Sequence, residues 1–266
     1  MQKNKTLNAE KVSEHIVDWL RSYATNAKMN GFVIGISGGI DSAVTSTLCA
    51  MTGLRVLCLQ LPIHQASSHV HRAQEHIDQL INRFPNVDSA CSDLTSTFDT
   101  FRLSVPATSD VAKINLALAN ARARLRMTTL YYFAGIHGLL VAGTGNKIED
   151  FGVGFYTKYG DGGVDLSPIA DLLKSEVFAL GKYLQIPASI LQAAPTDGLF
   201  GDERSDEEQL GATYDELEWA MQYDKNLAKG RQLSEREQQV LDIYTRLNKI
   251  NQHKMLPVPV CNIPEL

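Results

Sequence analysis

The sequence predicts an α/β fold in which a doubly wound, mostly parallel sheet carries helices on both faces. Four short apolar runs alternate with segments of helical periodicity. Strands separated by helices pair in parallel, because a parallel connection needs a crossover that a helix can supply. The chain has 266 residues, 44% of them hydrophobic, which suits one large core without disulfide bonds. We therefore expect residues 1–266 to form a single domain.

The individual elements follow from hydrophobic periodicity. Apolar runs bounded by glycine, proline or polar residues predict strands at 32–36, 55–61, 87–91 and 139–142. Apolar residues that recur every three or four positions predict helices at 9–29, 41–51, 67–84, 109–137, 171–184, 213–222 and 234–252. The first of these helices has a predicted buried stripe formed by Val12, Ile16, Leu20 and Tyr23.

Three segments lack a clear period. Residues 150–168 are rich in glycine and aromatic side chains, and we interpret them as an active-site loop. Residues 197–208 are acidic and are interpreted as a lid. A C-terminal helical segment and tail occupy 205–266, and prolines predict that the tail from His253 onward is extended.

Charge and composition argue against several classes of protein. The formal net charge of −5 argues against a broad basic surface for nucleic acid or anionic membranes. The N-terminal segment lacks the apolar core of a signal peptide, and the most apolar stretch, 127–141, is too short to span a bilayer. The expected location is therefore the cytoplasm.

Cysteine and histidine spacing gives no support for a zinc site. The four cysteines contain no C-x-x-C pair, and two of them lie in apolar runs, so buried thiols are favoured over disulfide bonds. A group of histidines falls at irregular spacing on a polar helix, with no Cys or Glu to complete a known metal motif. We expect solvated side chains at these histidines: His64, His69, His71 and His76.

One glycine-rich segment between a strand and a helix carries the chemistry. Glycines let backbone N–H groups approach an anion, and a helix N-terminus adds about half a positive charge, so such a segment suits phosphates. It is not a Walker A loop, because the lysine is missing and a carboxylate stands at the mouth. That carboxylate needs a cation beside phosphates, for which Mg²⁺ is the simplest choice, although a plain glycine turn capped by aspartate is the alternative. The segment reads Gly35-Ile36-Ser37-Gly38-Gly39-Ile40-Asp41-Ser42.

The position of this segment makes a further prediction. Ligands of doubly wound sheets gather beyond the carboxyl ends of the strands, near the point where the winding reverses. Ser37 and Gly143 each follow a predicted strand at a glycine-bearing end. We expect both to face the same crevice.

The glycine segment resembles the pyrophosphatase loop of the N-type ATP pyrophosphatases, which cleave ATP between its α- and β-phosphates. Later segments resemble one branch of that superfamily, the NAD synthetases. The longest match is GFYTKYGDGGVD at 154–165, and shorter matches lie at 120–124, 194–196 and 253–254. They occur in family order across nearly the whole chain. The resemblance implies an adenine nucleotide alpha hydrolase-like, Rossmann-like fold.

The resemblance also implies roles for the matching positions. It assigns ATP binding to the glycine segment, 35–42, and to Thr144, Lys174 and Thr196. It assigns Mg²⁺ binding to Asp41 and Glu149. It assigns the substrate, deamido-NAD, to five positions: Arg122, Lys158, Asp165, His253 and Lys254.

The implied reaction amidates a carboxylate in two steps and is the last step of NAD biosynthesis. The nicotinate carboxylate of deamido-NAD attacks the α-phosphorus of ATP, which gives an adenylated intermediate and pyrophosphate. Ammonia then displaces AMP to give NAD, and no covalent protein nucleophile is needed. The 266 residues leave no room for a glutaminase domain beside the synthetase core, so we expect ammonia itself, or a separate donor, to supply the nitrogen.

The sequence departs from the family pattern at two places. Gln60 stands where many members have an arginine, and either Gln60 or Gln65 is expected to replace the usual contacts to ATP. One extra residue separates Glu149 from the Gly154-Phe155 segment.

Three alternatives remain open beside an NAD synthetase. A GMP synthetase-like enzyme is disfavoured by the match at 154–165, and a tRNA-modifying enzyme by the acidic balance and scattered cysteines. A non-catalytic nucleotide-binding module would not need Asp41 and Glu149 together with that segment.

The long predicted helix 109–137 carries more apolar surface than one sheet face needs. A homodimer that packs this helix against its twin is therefore expected, partly from the family resemblance. A buried core helix is the alternative. The apolar positions are Leu116, Leu118, Leu125, Leu130, Tyr131 and Tyr132.

Overall fold

Four strands form a wholly parallel sheet in the computed structural model, which describes residues 7–106, 109–196, 205–223 and 232–264. Phe32 in the first strand lies beside Val56 on one side and Leu140 on the other. The predicted fold class is confirmed, and each predicted strand end lies within one residue of the observed end. The strands are β1 (Gly31–Gly35), β2 (Arg55–Gln60), β3 (Val87–Cys91) and β4 (Leu140–Val141), in the order β3-β2-β1-β4.

Helices account for most of the remaining described residues. A short π-helix spans Ile148–Val153. The α-helices are α1 (Ala9–Asn26), α2 (Ile40–Met51), α3 (Ser67–Arg83), α4 (Thr95–Ser104), α5 (Val111–His137), α6 (Lys174–Tyr183), α7 (Ala188–Leu191), α8 (Asp206–Leu210), α9 (Tyr214–Gln222) and α10 (Glu235–Met255).

Helices cover both faces of the sheet, as the sequence predicts. Phe32, Ile34 and Cys58 are buried on one face, in a core shared with α1, α2, α3 and α6. Val33 and Leu57 are buried on the other face, against α5. Strands that are covered on both sides have no solvent face, which explains why they read as continuous apolar runs.

The winding direction reverses at β1. From β1 the chain passes through α2 to β2 and through α3 to β3 on one side, whereas β4 joins β1 on the other side. Such a reversal leaves a crevice beyond the carboxyl ends of the two central strands. Ser37 and Gly143 both line this crevice, which confirms the prediction that the two strand ends share it.

A separate hydrophobic cluster forms around the C-terminal helices. Leu217 of α9 and Val240 of α10 are buried with Ile148 and Val153 of the π-helix. Helices α8, α9 and α10 each start with a serine or threonine cap and a glutamate three residues later, a pairing that satisfies the first free amides. The cluster thereby anchors the segment after β4, which carries Glu149.

Several local expectations need correction. The sequence pattern does not predict α4, whose one buried residue is Phe98. The predicted stripe of α1 is wrong at Tyr23, which is 42% exposed, because Ala24 takes the buried position. His253 lies in the last turn of α10 rather than in an extended tail. Residues 197–204 of the interpreted lid lie outside the described residues.

The cysteines and histidines also divide between core and surface. Cys49 and Cys58 are buried free thiols, as expected. Within the described ranges, no group of three or more His, Cys, Asp or Glu side chains could hold a metal ion, and no helix is long and apolar enough to cross a membrane. His76 contradicts the expected solvated surface: it is fully buried, and its Nε2 lies 2.9 Å from Oγ of Ser46.

The buried position of His76 should make stability depend on pH. Burial, with a smaller effect of Arg83, lowers the pKa of His76 to about 4 from its ordinary 6.5. Between these values the unfolded chain binds a proton that the folded chain does not, so this stability is present above pH 6.5 and is lost as the pH falls toward 4. We expect His76 to account for a loss of about 2 kcal/mol in unfolding free energy between pH 7 and pH 5.

Urea denaturation of the wild type and of His76→Gln at both pH values measures this loss. The glutamine can still bond to Ser46 but does not titrate. The drop between pH 7 and pH 5 should therefore shrink by about 2 kcal/mol in the variant. An equal drop in the two proteins would show that His76 does not control the acid sensitivity.

Candidate active site

The glycine segment makes a closed turn between β1 and α2. Gly38 has a φ of +82°, and a β-carbon there would lie 2.6 Å from the carbonyl oxygen of His69, so only glycine fits. Oγ of Ser42 donates to the carbonyl of Gly39 (3.0 Å) and accepts from the backbone N–H of Ser37 (3.3 Å). No side chain caps the start of α2. The first amides of the helix, at its positive end, therefore border the crevice.

A buried group of charges stands beside the glycine segment. Nζ of Lys174, the first residue of α6, lies 2.6 Å from Oδ2 of Asp41 and 3.0 Å from Oε1 of Glu149. The side chain of Lys174 is only 4% exposed, and those of Asp41 and Glu149 are 18% and 15% exposed. Lys174 is thus not a surface lysine. The three chain segments that carry these residues meet at one point of the crevice.

The charges in this group stabilise one another. Burial opposes the charge of Lys174, but Asp41 and Glu149 outweigh it, so the pKa of Lys174 is raised and the lysine stays protonated. Burial raises the pKa of Asp41, and Lys174 partly offsets that rise. The arrangement keeps the ammonium of Lys174 protonated between the two carboxylates.

Asn146 and Tyr214 hold the two carboxylates in place. Nδ2 of Asn146 donates to Oδ1 of Asp41 (3.2 Å), and the hydroxyl of Tyr214 donates to Oε1 of Glu149 (2.6 Å). Burial and the neighbouring carboxylates raise the pKa of Tyr214 far above its ordinary value, so it remains a donor. Neither residue follows from the sequence, because Asn146 is 105 positions from Asp41 and Tyr214 is 65 from Glu149.

Helix α9 fixes the start of α6 and with it Lys174. The buried carboxylate of Glu218 accepts from the backbone N–H of Ser175 (2.9 Å) and from its Oγ (2.7 Å). A carboxylate at this end of a helix also interacts favourably with the helix dipole. The position of Lys174 therefore depends on the C-terminal cluster as well as on the sheet.

Arg126 and Arg72 add positive charge to the crevice walls. Arg126 of α5 donates from Nε to the carbonyl of Leu61 (3.0 Å) and from Nη2 to Oε1 of Gln65 (2.8 Å). Arg72 of α3 donates from Nε to the carbonyl of Gly38 (3.2 Å). The sequence pattern alone does not separate Arg126 from a plain surface arginine. Gln60 and Gln65, one of which is expected to replace the usual family contacts to ATP, both line the crevice.

The crevice brings together all the positions that the sequence assigned to ATP. Thr144 follows β4, Thr196 follows α7, and both line the crevice. Lys174 and the glycine segment complete the set. The lining residues from the assigned set are Gly35, Ile36, Ser37, Gly38, Gly39, Ile40, Asp41, Ser42, Thr144, Lys174 and Thr196.

Comparison with known proteins decides the family. A model of the NAD synthase family matches residues 12–257. The chain belongs to the NAD synthase family. It is 35% identical over 254 residues to an NH3-dependent NAD⁺ synthetase of Carboxydothermus hydrogenoformans, covering 93% of this chain and 96% of that protein. It is 36% identical over 263 residues to one of Archaeoglobus fulgidus, covering 98% and 100%.

Two solved structures have the same fold as this chain. An NMN synthetase from Francisella tularensis superposes with a TM-score of 0.84 at 33% identity, covering 97% of this chain and all of that one. An NH3-dependent NAD synthetase from Campylobacter jejuni, in complex with the nitrate ion, superposes with a TM-score of 0.76 at 26% identity, covering 96% and 100%.

The five positions matched to the dinucleotide substrate of the NAD synthase family divide into two groups. Near the end of α10, Nζ of Lys158 donates to the carbonyl of His253 (2.6 Å), and Nζ of Lys254 donates to the carbonyl of Gly154 (2.7 Å). These contacts fasten the glycine- and aromatic-rich loop to α10. They bring Lys158, His253 and Lys254 close together. None of these three is among the described residues that line the crevice.

Arg122 and Asp165 lie apart from that group. Arg122 stacks on Phe98, with its Cζ 4.2 Å from the ring centre. Asp165 accepts from the backbone N–H of Val141 (2.8 Å) and from the hydroxyl of Tyr131 (3.0 Å). In this structure Asp165 therefore joins β4 to α5, and its two carboxylate oxygens already have donors.

Glu149 lies in a π-helical turn in this member of the NAD synthase family. Residues Ile148–Val153 form the π-helix, which ends at Gly154 with a φ of +66°. A π-turn closes one residue later than an α-turn, so it would have room for the one extra residue that the family pattern leads us to expect between Glu149 and Gly154. Glu149 is paired with Lys174, and Asp150 lines the crevice beside it.

Asp150 takes the space that Gly145 leaves empty. A β-carbon built at Gly145 would overlap the carboxylate of Asp150. Burial, with smaller effects of Glu149, Asp161 and Asp41, raises the pKa of Asp150 to about 8. Asp161 also lines the crevice, and burial of its carboxylate, with a smaller effect of Glu149, raises its pKa to about 6. The crevice thus holds acidic groups whose charge a bound cation would favour.

Gly145→Ala should cost about 1–3 kcal/mol of unfolding free energy, because the new methyl group overpacks against the Asp150 carboxylate. The cost should nearly vanish in the Asp150→Ala background, where the space is free. Urea denaturation of the two single variants and the double variant measures this coupling. If the costs of the two single variants simply add, the two side chains do not compete for one space.

Proposed function

We propose that this member of the NAD synthase family converts deamido-NAD, ATP and ammonia into NAD, AMP and pyrophosphate. The observation that supports this most strongly is the buried pairing of Lys174 with Asp41 and Glu149 beside the start of α2. Buried charges are costly to desolvate, and a module that only bound nucleotides would not need this set. We propose that residues 1–266 act as one domain for this reaction.

The two carboxylates fit a magnesium ion that is shared with ATP. Mg²⁺ is commonly held by one or two carboxylates together with phosphate oxygens and water. Oδ2 of Asp41 and Oε1 of Glu149 already converge on a single cationic group, the ammonium of Lys174. We propose that Lys174 turns toward the phosphates when the metal and ATP bind. Mg²⁺ would supply further neutralisation of phosphate charge at that point.

Adenylation of the substrate is the proposed first step. A carboxylate oxygen of deamido-NAD attacks the α-phosphorus, so an O–P bond forms while the bond to pyrophosphate breaks. Lys174 and the amides at the start of α2 stabilise the negative charge that shifts to pyrophosphate. Holding two nucleotides in line at the strand ends contributes as much as about 7–11 kcal/mol in favourable cases.

Amidation is the proposed second step. The nitrogen of ammonia attacks the activated acyl carbon, a C–N bond forms, and the C–O bond to AMP breaks. The nitrogen gives up one proton to water, and AMP leaves with the electron pair of the broken C–O bond. We propose that Arg122, Lys158, Asp165, His253 and Lys254 bind the dinucleotide during both steps.

We also propose a homodimer formed through α5. Leu116, Tyr132 and Ile136 of this helix are 55%, 64% and 57% exposed, which is unusual for large apolar side chains on one helix. Light scattering at micromolar concentration should give twice the mass of the chain, and a monomer mass would contradict the dimer. The proposed ligands are small molecules, with no nucleic acid or membrane, and the proposed location is the cytoplasm.

An endpoint assay tests the proposed function. The chain is incubated with ATP, Mg²⁺, ammonium and deamido-NAD, and both NAD and AMP are quantified. We expect one AMP for each NAD, with both products lost when EDTA removes the metal. AMP without NAD, or NAD in the presence of EDTA, would contradict the proposal.

A second candidate is the amidation of nicotinate mononucleotide to NMN. The NMN synthetase of Francisella tularensis is more similar to this chain, at 33% identity, than is the NAD synthetase of Campylobacter jejuni, at 26%. The curated relatives named NAD⁺ synthetases reach 35% and 36%, which favours the dinucleotide. Equal concentrations of the two substrates in one reaction give the ratio of their kcat/KM values directly. A ratio in favour of the mononucleotide would establish the second candidate.

A further inference from the structure

Two carboxylates compete for the single hydroxyl hydrogen of Tyr214. Its oxygen lies 2.6 Å from Oε1 of Glu149 and 3.2 Å from Oδ2 of Asp206. Tyr214 and Asp206 are each only 5% exposed, so water does not readily replace either contact. A phenol carries one hydrogen, which can make a full hydrogen bond to only one acceptor at a time. The shorter distance indicates that, in the protein without a cation, the hydrogen points toward Glu149.

The hydrogen bond from Tyr214 uses an oxygen that already has another donor. Oε1 of Glu149 also accepts from Nζ of Lys174, at 3.0 Å. A divalent cation at this oxygen would meet the positive ends of both donors, and like charges repel. Lys174 is proposed to turn toward the phosphates. The hydroxyl of Tyr214 needs a second acceptor instead, because leaving a buried donor unsatisfied is costly.

Asp206 is held in place to be that second acceptor. It is the first residue of α8, and its backbone N–H donates to the carbonyl of Pro195 (3.0 Å). The carboxylate of Glu207 accepts from the backbone N–H of Tyr214 (2.9 Å), which joins the start of α8 to the start of α9. Asp206 and Tyr214 are therefore fixed relative to each other. The hydroxyl can change its acceptor by rotation of the O–H bond, without movement of the ring.

We propose that Asp206 is a positioning residue for the metal site, which acts through Tyr214 by accepting the hydroxyl hydrogen when a divalent cation binds Glu149. The inference deepens the proposed function, because it rests on Glu149 as a ligand of the cation. A bound cation neutralises the carboxylate of Glu149, so Asp206 becomes the stronger acceptor of the two. Oε1 of Glu149 is then released to the cation. Tyr214 thus switches between two carboxylates and is more than a fixed support for one of them.

Two substitutions that keep the size of the side chain should change cation binding in opposite directions. Tyr214→Phe removes the competing donor and should lower the Kd for Mn²⁺, the probe for the divalent cation, about threefold. Asp206→Asn should raise that Kd about tenfold, because a neutral amide oxygen accepts less strongly than a carboxylate and the hydrogen stays on Glu149. If Tyr214 only supported Glu149, Tyr214→Phe would raise the Kd as well.

The double variant separates the switch from a simple loss of negative charge. Without the hydroxyl of Tyr214, Asp206 has no hydrogen to accept from it. Asp206→Asn should therefore raise the Kd less than about twofold in the Tyr214→Phe background. Loss of charge alone would give the same factor in both backgrounds. Electron paramagnetic resonance of free Mn²⁺, during titration of the full chain without nucleotide, measures all four Kd values independently of turnover.

Tyr131→Phe and Asp171→Asn are the matched controls. The hydroxyl of Tyr131 also donates to a carboxylate, that of Asp165 (3.0 Å), and Asp171 is a surface carboxylate paired with Lys147. Each control removes the same group as one of the test substitutions, at a place away from Glu149. Both should leave the Kd for Mn²⁺ unchanged.

Three results would overturn the switch. They are an equal effect of Asp206→Asn in the two backgrounds, a higher Kd in Tyr214→Phe, and no binding of Mn²⁺ by the wild type. A wild type that binds Mn²⁺ but forms no NAD from deamido-NAD would overturn the proposed function instead, so the two failures are distinguishable.

Discussion

Lys174→Met should cost about 3–5 kcal/mol of unfolding free energy and lower kcat/KM by about 10²–10³. The carboxylates of Asp41 and Glu149 would stay buried without the ammonium that now lies 2.6 and 3.0 Å from them. Removing one partner of a buried ion pair is expensive, because the remaining charge is neither solvated nor compensated. Activity falls for a related reason, since the methionine offers no charge to the phosphates.

Lys147→Met provides the matched control for this prediction. Lys147 also pairs with an aspartate, at 2.8 Å, but the side chain of that partner, Asp171, is 97% exposed. Surface pairs of this kind contribute about 0–1 kcal/mol. Urea denaturation at pH 7 without metal should therefore separate the two variants clearly. Equal stability of Lys174→Met and Lys147→Met would contradict the importance of the buried charges.

Asp41→Asn should abolish activity without destabilising the protein. We expect kcat/KM to fall about a thousandfold, the upper scale for loss of one group that stabilises the transition state electrostatically. The unfolding free energy should stay equal or rise, because burial raises the pKa of Asp41 and its ionised form therefore costs folding energy. Glu149 remains to accept from Lys174.

Thermal unfolding with and without Mg²⁺ and ATP provides the measurement for Asp41→Asn. Ligand at 100 times its Kd stabilises the folded state by about 2.7 kcal/mol. The wild type should therefore unfold at a higher temperature when both ligands are present. The variant should unfold at the same temperature as the ligand-free wild type, and ligands should raise that temperature only slightly. A variant that unfolds well below the wild type without ligand would mean that Asp41 has mainly a structural role.

The regular part of the fold could be predicted from the sequence because burial is uniform there. Each strand is covered on both faces and reads as an apolar run, so the limits of β2 and β3 follow within one residue. Helix α4 could not be predicted in this way, because only one of its residues, Phe98, is buried, while Phe101 and Leu103 face solvent. The pattern that reveals a buried stripe is therefore missing.

The glycine segment could be predicted as a phosphate site because its parts are contiguous in the chain. The partners of Asp41 could not be predicted from the residues alone, since Asn146 and Lys174 reach it from 105 and 133 positions away. The family resemblance singled out Lys174, but its burial required the structure. Asp150 was not singled out from the sequence, because its projection into the crevice depends on the π-helical turn and on the space beside Gly145.

The fate of the substrate's carboxylate oxygen tests the chemistry most directly. Deamido-NAD labelled with ¹⁸O in its nicotinate carboxylate is converted with unlabelled ATP, Mg²⁺ and ammonium, and the AMP is analysed by mass spectrometry. If that carboxylate attacks the α-phosphorus of ATP, each AMP carries one ¹⁸O and pyrophosphate carries none. Unlabelled AMP, with ¹⁸O in pyrophosphate or phosphate, would show that the carboxylate is activated at another phosphorus and would contradict adenylation.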